Sequence, residues 1–194
     1  MDTRQAPAAT YGGTLIATSG DGARVITTLG VEVEPESYDL KLHAVGGEGG
    51  AGSFRLTLIR VRQEGALPRV IESFGRLNGT RTYHVQAGKY LVFASSFLDG
   101  ATMVAPRLEV NSDTELTLDV RQAEAPQLLL PEEGMELRRG AWDFFDLAAE
   151  AGLGVTFVGS VWRTAQIGPD APAEETTSNT HLLFAKDGDG TAEH

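Results

Sequence analysis

Residues 116–123 read Leu116-Thr117-Leu118-Asp119-Val120-Arg121-Gln122-Ala123. Apolar and polar side chains alternate from Leu116 to Arg121, and a strand sends successive side chains to opposite faces. Leu116, Leu118 and Val120 therefore face a core. Thr117, Asp119 and Arg121 face outward, where pairing with neighbours is worth only a few tenths of a kcal/mol. This is the signature of a half-buried antiparallel strand. The stretch Arg107 to Val110 precedes it, and Asn111-Ser112-Asp113 between the two reads as a hairpin loop.

The same period recurs upstream. Tyr38, Leu40, Leu42 and Ala44 share one face, and Asp39, Lys41 and His43 the other. Phe54, Leu56 and Leu58 share a face, but Ile59 and Val61 follow on the opposite phase, which predicts a bulge or a twist between sheets. Tyr83 to Gln86 and Lys89 to Ala94 flank Ala87-Gly88, read as a tight turn. The second arm is apolar on both faces, which places it centrally in a sheet. Asp21-Gly22 between Thr14–Thr18 and Val25–Leu29 is a hairpin cue. Val31 to Glu34 alternates until Pro35 stops it, Glu64 to Ala66 and Asn78-Gly79 mark turns, and Arg69 to Phe74 is a further strand. Gly46 to Gly52 holds five glycines and reads as a flexible loop unless special contacts order it.

Beyond residue 126 the pattern changes. In Trp142 to Glu150 a helix competes, because Trp142, Phe145 and Ala149 recur at helical spacing. The surrounding β pattern favours a strand. Val155 to Trp162 is a strand, 169–179 a polar loop, and His181 to Ala185 a last strand. The expected organisation is a loose tail at 1–10 and a β-sandwich module at 11–126. Residues 127–194 form either a second β unit or an extension of the first. The fold class is all-β, an antiparallel β-sandwich of immunoglobulin-like or transthyretin-like kind.

The totals agree with a folded chain. Of 194 residues, 41% are hydrophobic and 22% charged, and 23 glycines suit a protein with many turns. A net charge of −11 repels a phosphate backbone, which argues against nucleic acid and anionic membrane partners. The absence of cysteine removes disulfides and thiolate metal sites. No apolar run is long enough to span a bilayer, and Met1 to Pro7 has no apolar signal-peptide core. The chain is thus expected to be cytosolic or a fragment of a longer protein.

Catalytic chemistry finds little support. A serine-hydrolase triad needs a base histidine near a nucleophile and an orienting carboxylate. The histidines are His43, His84, His181 and His194, and His43 and His84 occupy polar-phase strand positions. Asp187 and Asp189 have the spacing that opens a calcium loop, yet no bidentate glutamate follows at the twelfth position; a frayed acidic tail is the competing reading. Asp21 reads as a turn former. Lys41 and Asn111 would be the partners of an isopeptide bond, against the simpler reading of Lys41 as a solvated side chain. Trp142, Phe144, Phe145 and Trp162 are the candidate binding residues, an aromatic platform for peptide or carbohydrate. Aromatic side chains in strands also serve as core. No cofactor motif is present.

Thr114 to Ala123 also resembles the "T-x-L-T-L-D-A-R-x-A" segment found downstream of the protease domain in large secreted subtilisin-like serine peptidases of actinobacteria. Tyr83-His84-Val85-Gln86-Ala87-Gly88-Lys89-Tyr90 looks like the "V-P-A-G-x-Y" hairpin of that family, shared with carboxypeptidase-regulatory-like sandwiches. The resemblance covers residues 54–126. Val120 stands where alanine is usual, and Glu64 to Pro68 replaces a "D-x-D-G-x-P" turn. The resemblance implies a non-catalytic accessory module of a secreted, extracellular protease, with protein, peptide or polysaccharide as partner. A stand-alone adhesion or carbohydrate-binding module is the alternative. The triad motifs of that family do not occur in this sequence.

Overall fold

The computed structural model describes residues 9–61, 71–127, 134–159 and 162–186. Among them run thirteen strands: β1 (Ala9–Thr18), β2 (Arg24–Val33), β3 (Ser37–Val45), β4 (Ser53–Arg60), β5 (Ile71–Asn78), β6 (Thr80–Gln86), β7 (Gly88–Ser96), β8 (Ala101–Val110), β9 (Thr114–Asp119), β10 (Met135–Asp146), β11 (Ala151–Val158), β12 (Arg163–Gln166) and β13 (Thr176–Lys186). The expected turn at Glu64 to Ala66 lies outside the described residues.

The strands form three stacked sheets and one separate ribbon. An outer sheet has the order β6-β3-β9, and the central sheet the order β12-β8-β7-β4-β5. A third sheet has the order β11-β10-β13, and β1 and β2 pair only with each other. One core lies between the outer and central sheets. It contains Leu40 and Leu42 of β3, Phe54, Leu56 and Leu58 of β4, Val92 of β7, Met103 of β8 and Leu118 of β9. A second core lies between the central and third sheets, where Ile59, Leu91, Phe93 and Val104 meet Trp142, Phe144, Val155, Phe157 and Trp162.

The central sheet is therefore buried on both faces, which explains the phase switch in β4. Leu58 and Ile59 point to opposite faces and each enters a core. The irregularity expected in β4 sits instead on its partner: Leu56 faces Gly75 and Thr57 faces Ser73, so β5 carries the extra residue. Gly75 has φ 68°, a left-handed conformation that glycine adopts without strain. β7, apolar on both faces, lies in the middle of that sheet.

Two expected hairpins are corners between sheets. β6 and β7 meet at Ala87-Gly88 but belong to the outer and central sheets, and β8 and β9 do the same around 111–113. The reason is burial. Within the central sheet both faces of β6 would be covered, and the exposed His84 and Thr82 would be forced inside. The same holds for Glu115 and Thr117 of β9. The corner at Gly88 is tight, since a Cβ there would lie 2.8 Å from Arg60 Nε. A purely antiparallel arrangement does not hold either: β9 runs parallel to β3, and β12 parallel to β8.

The glycine-rich segment 46–52 is a hydrogen-bonded loop, not a loose one. Gly46 N–H donates to Gly50 O, Gly52 N–H to Ala44 O, and Gly79 N–H to Gly52 O, all within 2.9 Å. A Cβ on Gly52 would stand 2.8 Å from Gly46 N and Val45 C, so only glycine lets these backbones approach. Around Trp142 to Glu150 the strand β10 continues to Asp146 and a turn follows, with Glu150 at φ 49°. β1 begins at Ala9, so residues 9 and 10 of the expected tail are strand, and the rest of it lies outside the described residues. Residues after 134 supply both the third sheet and β12 of the central sheet.

Candidate binding cleft

His43 and His84 lie on the outer sheet's solvent face. His84 Nδ1 is 3.0 Å from Asp39 Oδ1. His43 sits between Thr80 Oγ1 at 3.0 Å and Glu115 Oε2 at 3.2 Å. Hydroxyl, imidazole and carboxylate thus stand in relay order. Glu115, however, is 64% exposed, and its other oxygen accepts from Lys41 Nζ at 2.9 Å. Lys41 first, then His43, hold the Glu115 carboxyl below the ordinary range of a glutamate. The group is a polar ladder tying β3 to β6 and β9. A carboxylate so solvated interacts weakly with the imidazole it faces.

The other predicted residues fall as follows. Trp142, Phe144 and Trp162 are buried in the second core. Trp142 stacks on Phe93 and Phe144, and Trp162 stacks on Phe157. These rings pack between two sheets, and Trp142 and Phe144 also line a small cleft of about 160 Å³ with Thr164, Gln166 and Ser178. Phe145, one position out of phase, is 42% exposed on the other side of the third sheet. Lys41 is engaged with Glu115, and Asn111 is exposed. Asp21 accepts from the Ser19 hydroxyl and from Ala23 N–H, as a turn former does. His181 is exposed on β13. Asp187, Asp189 and His194 lie outside the described residues. Among those that are described, no three metal-ligating side chains come together.

The chemistry gathers elsewhere, where the third sheet stops short of covering the central one. Ser53 and Arg55 of β4, Arg76 of β5, Ser95 of β7, and Phe97 and Leu98 of the following turn line a cleft of about 520 Å³. A smaller cleft of about 240 Å³ shares Arg55, Ser95 and Phe97 and is closed by Leu153 to Val155 of β11. The two make one trough. Arg55 and Arg76 are directly opposed in the β4–β5 register. Neither guanidinium has a carboxylate partner among the described residues, and no acidic side chain lines the trough. Like charges placed opposite each other on neighbouring strands are destabilising. Phe97 and Leu98 are 60% and 87% exposed, and Phe97 rests edge-on against Trp162 at 5.5 Å.

Beneath the trough runs a short hydrogen-bond chain. Trp162 Nε1–H donates to Thr102 Oγ1 at 2.9 Å, and Thr102 Oγ1 lies 2.9 Å from the buried Ser95 Oγ. An indole N–H can only donate. Thr102 Oγ1 therefore accepts from Trp162, and the Thr102–Ser95 hydroxyl pair shares one further proton in either direction. Trp162 thus supports the site from below.

Sequence reasoning missed Arg55 and Arg76. Arg55 is visible as a charge in the otherwise apolar Phe54 to Ile59. Its juxtaposition with Arg76 depends on the register of two strands joined through a long connection. No known family model matches the chain, nor does any curated protein or solved structure match it.

Proposed function

We propose that this chain is a non-catalytic accessory module of a secreted subtilisin-like serine protease, holding polypeptide against the uncovered part of its central sheet. The observation that carries the binding role is the trough of Arg55, Arg76, Ser95 and Phe97. Cations with no carboxylate partner among the described residues, beside an exposed aromatic ring, are features of a recognition surface. The protease context rests on the resemblance of residues 54–126, and on nothing else.

Edge strands offer their backbone groups to an extended chain, and β5 is the edge of the central sheet beside the trough. The expected result with unfolded, carboxymethylated casein is retention without cleavage. Cleavage abolished by His43→Ala would overturn the reading and make the Thr80–His43–Glu115 ladder a reaction centre. The surrounding reading frame is expected to carry a subtilisin-like triad. A frame without one would favour the stand-alone adhesion or carbohydrate-binding module.

A further inference from the structure

We infer that the trough recognises the carboxylate side chain of an extended acidic peptide, gripped between Arg55 and Arg76, with an apolar side chain two residues along the peptide against Phe97 and Leu98. This rests on the binding role proposed above and assigns it a ligand class. The polar side chains lining the trough are two guanidinium groups, which only donate, and the hydroxyls of Ser53, Thr57 and Ser95, which can donate as well as accept. The carboxylates of this strongly acidic chain are absent from its walls among the described residues. The missing partner is an anion.

Three features select a peptide carboxylate among anions. The planar fork of a guanidinium matches the two oxygens of a carboxylate, and two forks set opposite each other can take one oxygen each or share both. β5 presents a strand edge at the same place, so a bound chain can add backbone hydrogen bonds in strand register. Phe97 and Leu98 supply an apolar contact one wall away, which a bare inorganic anion or a uronic acid sugar would leave unused. Binding also offsets the mutual repulsion of the two arginines, which no carboxylate among the described residues compensates.

The probe is a blocked hexapeptide with glutamate, valine and glutamate at its second, fourth and sixth positions and threonine between them, with its glutamine counterpart, titrated calorimetrically at low salt. The glutamate peptide is expected to bind at least about tenfold more tightly than the glutamine peptide, as loss of a charge-assisted bond requires. Arg55→Gln and Arg76→Gln should each weaken it by about tenfold, and Arg139→Gln, on the third sheet, should leave it unchanged. Added salt should weaken the interaction. Because both side chains are exposed, the variants should melt at or above the temperature of the parent, which separates a ligand role from a structural one. Equal affinity for the two peptides, or indifference to Arg55→Gln and Arg76→Gln, overturns the ligand class while leaving a peptide-binding module in place. Binding of inorganic phosphate or of oligogalacturonate with no binding of either peptide overturns the peptide assignment. Failure to retain unfolded casein as well overturns the functional reading itself.

Discussion

Asp119 shows how a single residue outgrows its pattern. The alternation places it on the solvent side of β9, where an isolated charge does little. In the structure the strand ends there and Val120–Gln122 forms a short 3₁₀ turn capped by Asp119. Its Oδ1 accepts from Arg121 N–H at 3.0 Å and from Arg121 Nε at 2.9 Å, and its Oδ2 from the remaining guanidinium nitrogen at 2.7 Å. Hydrogen bonding to Arg121 holds the Asp119 carboxyl below the usual aspartate range. A carboxyl whose folded pKa lies below its unfolded one adds stability above the unfolded value, about pH 4, and loses it as pH falls through the folded value. Asp119→Asn is therefore expected to be less stable than the parent at pH 7. The gap should narrow steadily below about pH 4, as followed by urea denaturation across that range. A gap independent of pH would mean that the cap, and not the charge, matters. The T-L-D-x-R wording was legible in the sequence; its pairing two residues apart needed the turn.

At the scale of elements, the end of β10 is fixed by one buried acid. Asp146 accepts from Ala149 N–H at 2.9 Å, closing the turn into β11, and also takes the Arg107 guanidinium of β8. Arg107 reaches Glu175 at 2.5 Å as well. The Asp146 side chain is fully covered, so the pair ties the third sheet to the central one with little help from water. Removing one partner of a buried ion pair leaves the other uncompensated. Asp146→Asn keeps an acceptor for Ala149 but loses the charge, and is expected to lower stability by about 2–3 kcal/mol, as Glu175 still holds Arg107. A fall in the urea midpoint at unchanged slope would measure it. Phe145 and Asp146 adjoin in sequence, and the strand period alone assigns one to water and one to the interior. That Asp146 is the buried one, with an arginine waiting, is decided by β8.

For the whole molecule, two cores share one sheet. β7 and β4 contribute side chains to both, so loosening either core disturbs the backbone that frames the other. Both tryptophans of the chain lie in the second core, which makes their fluorescence a reporter of that layer, whereas far-ultraviolet dichroism reports all sheets. The two signals are expected to follow one urea transition. A fluorescence change that precedes the dichroism change would show the third sheet melting by itself. What the sequence determined alone was the all-β class, most of the strands up to β9 and the central place of β7, because side-chain alternation is a local property of the chain; β12 and the start of β13 at Thr176, inside the expected loop at 169–179, were not among them. It also marked Gly46 to Gly52 as a segment in need of contacts. Which strands share a sheet was left to tertiary structure, since a turn between two strands serves a hairpin and a corner equally well until burial of polar faces chooses. The trough was likewise tertiary: Arg55 and Arg76 become neighbours only through the pairing of β4 with β5, and β11 of the third sheet supplies the wall beside Arg55.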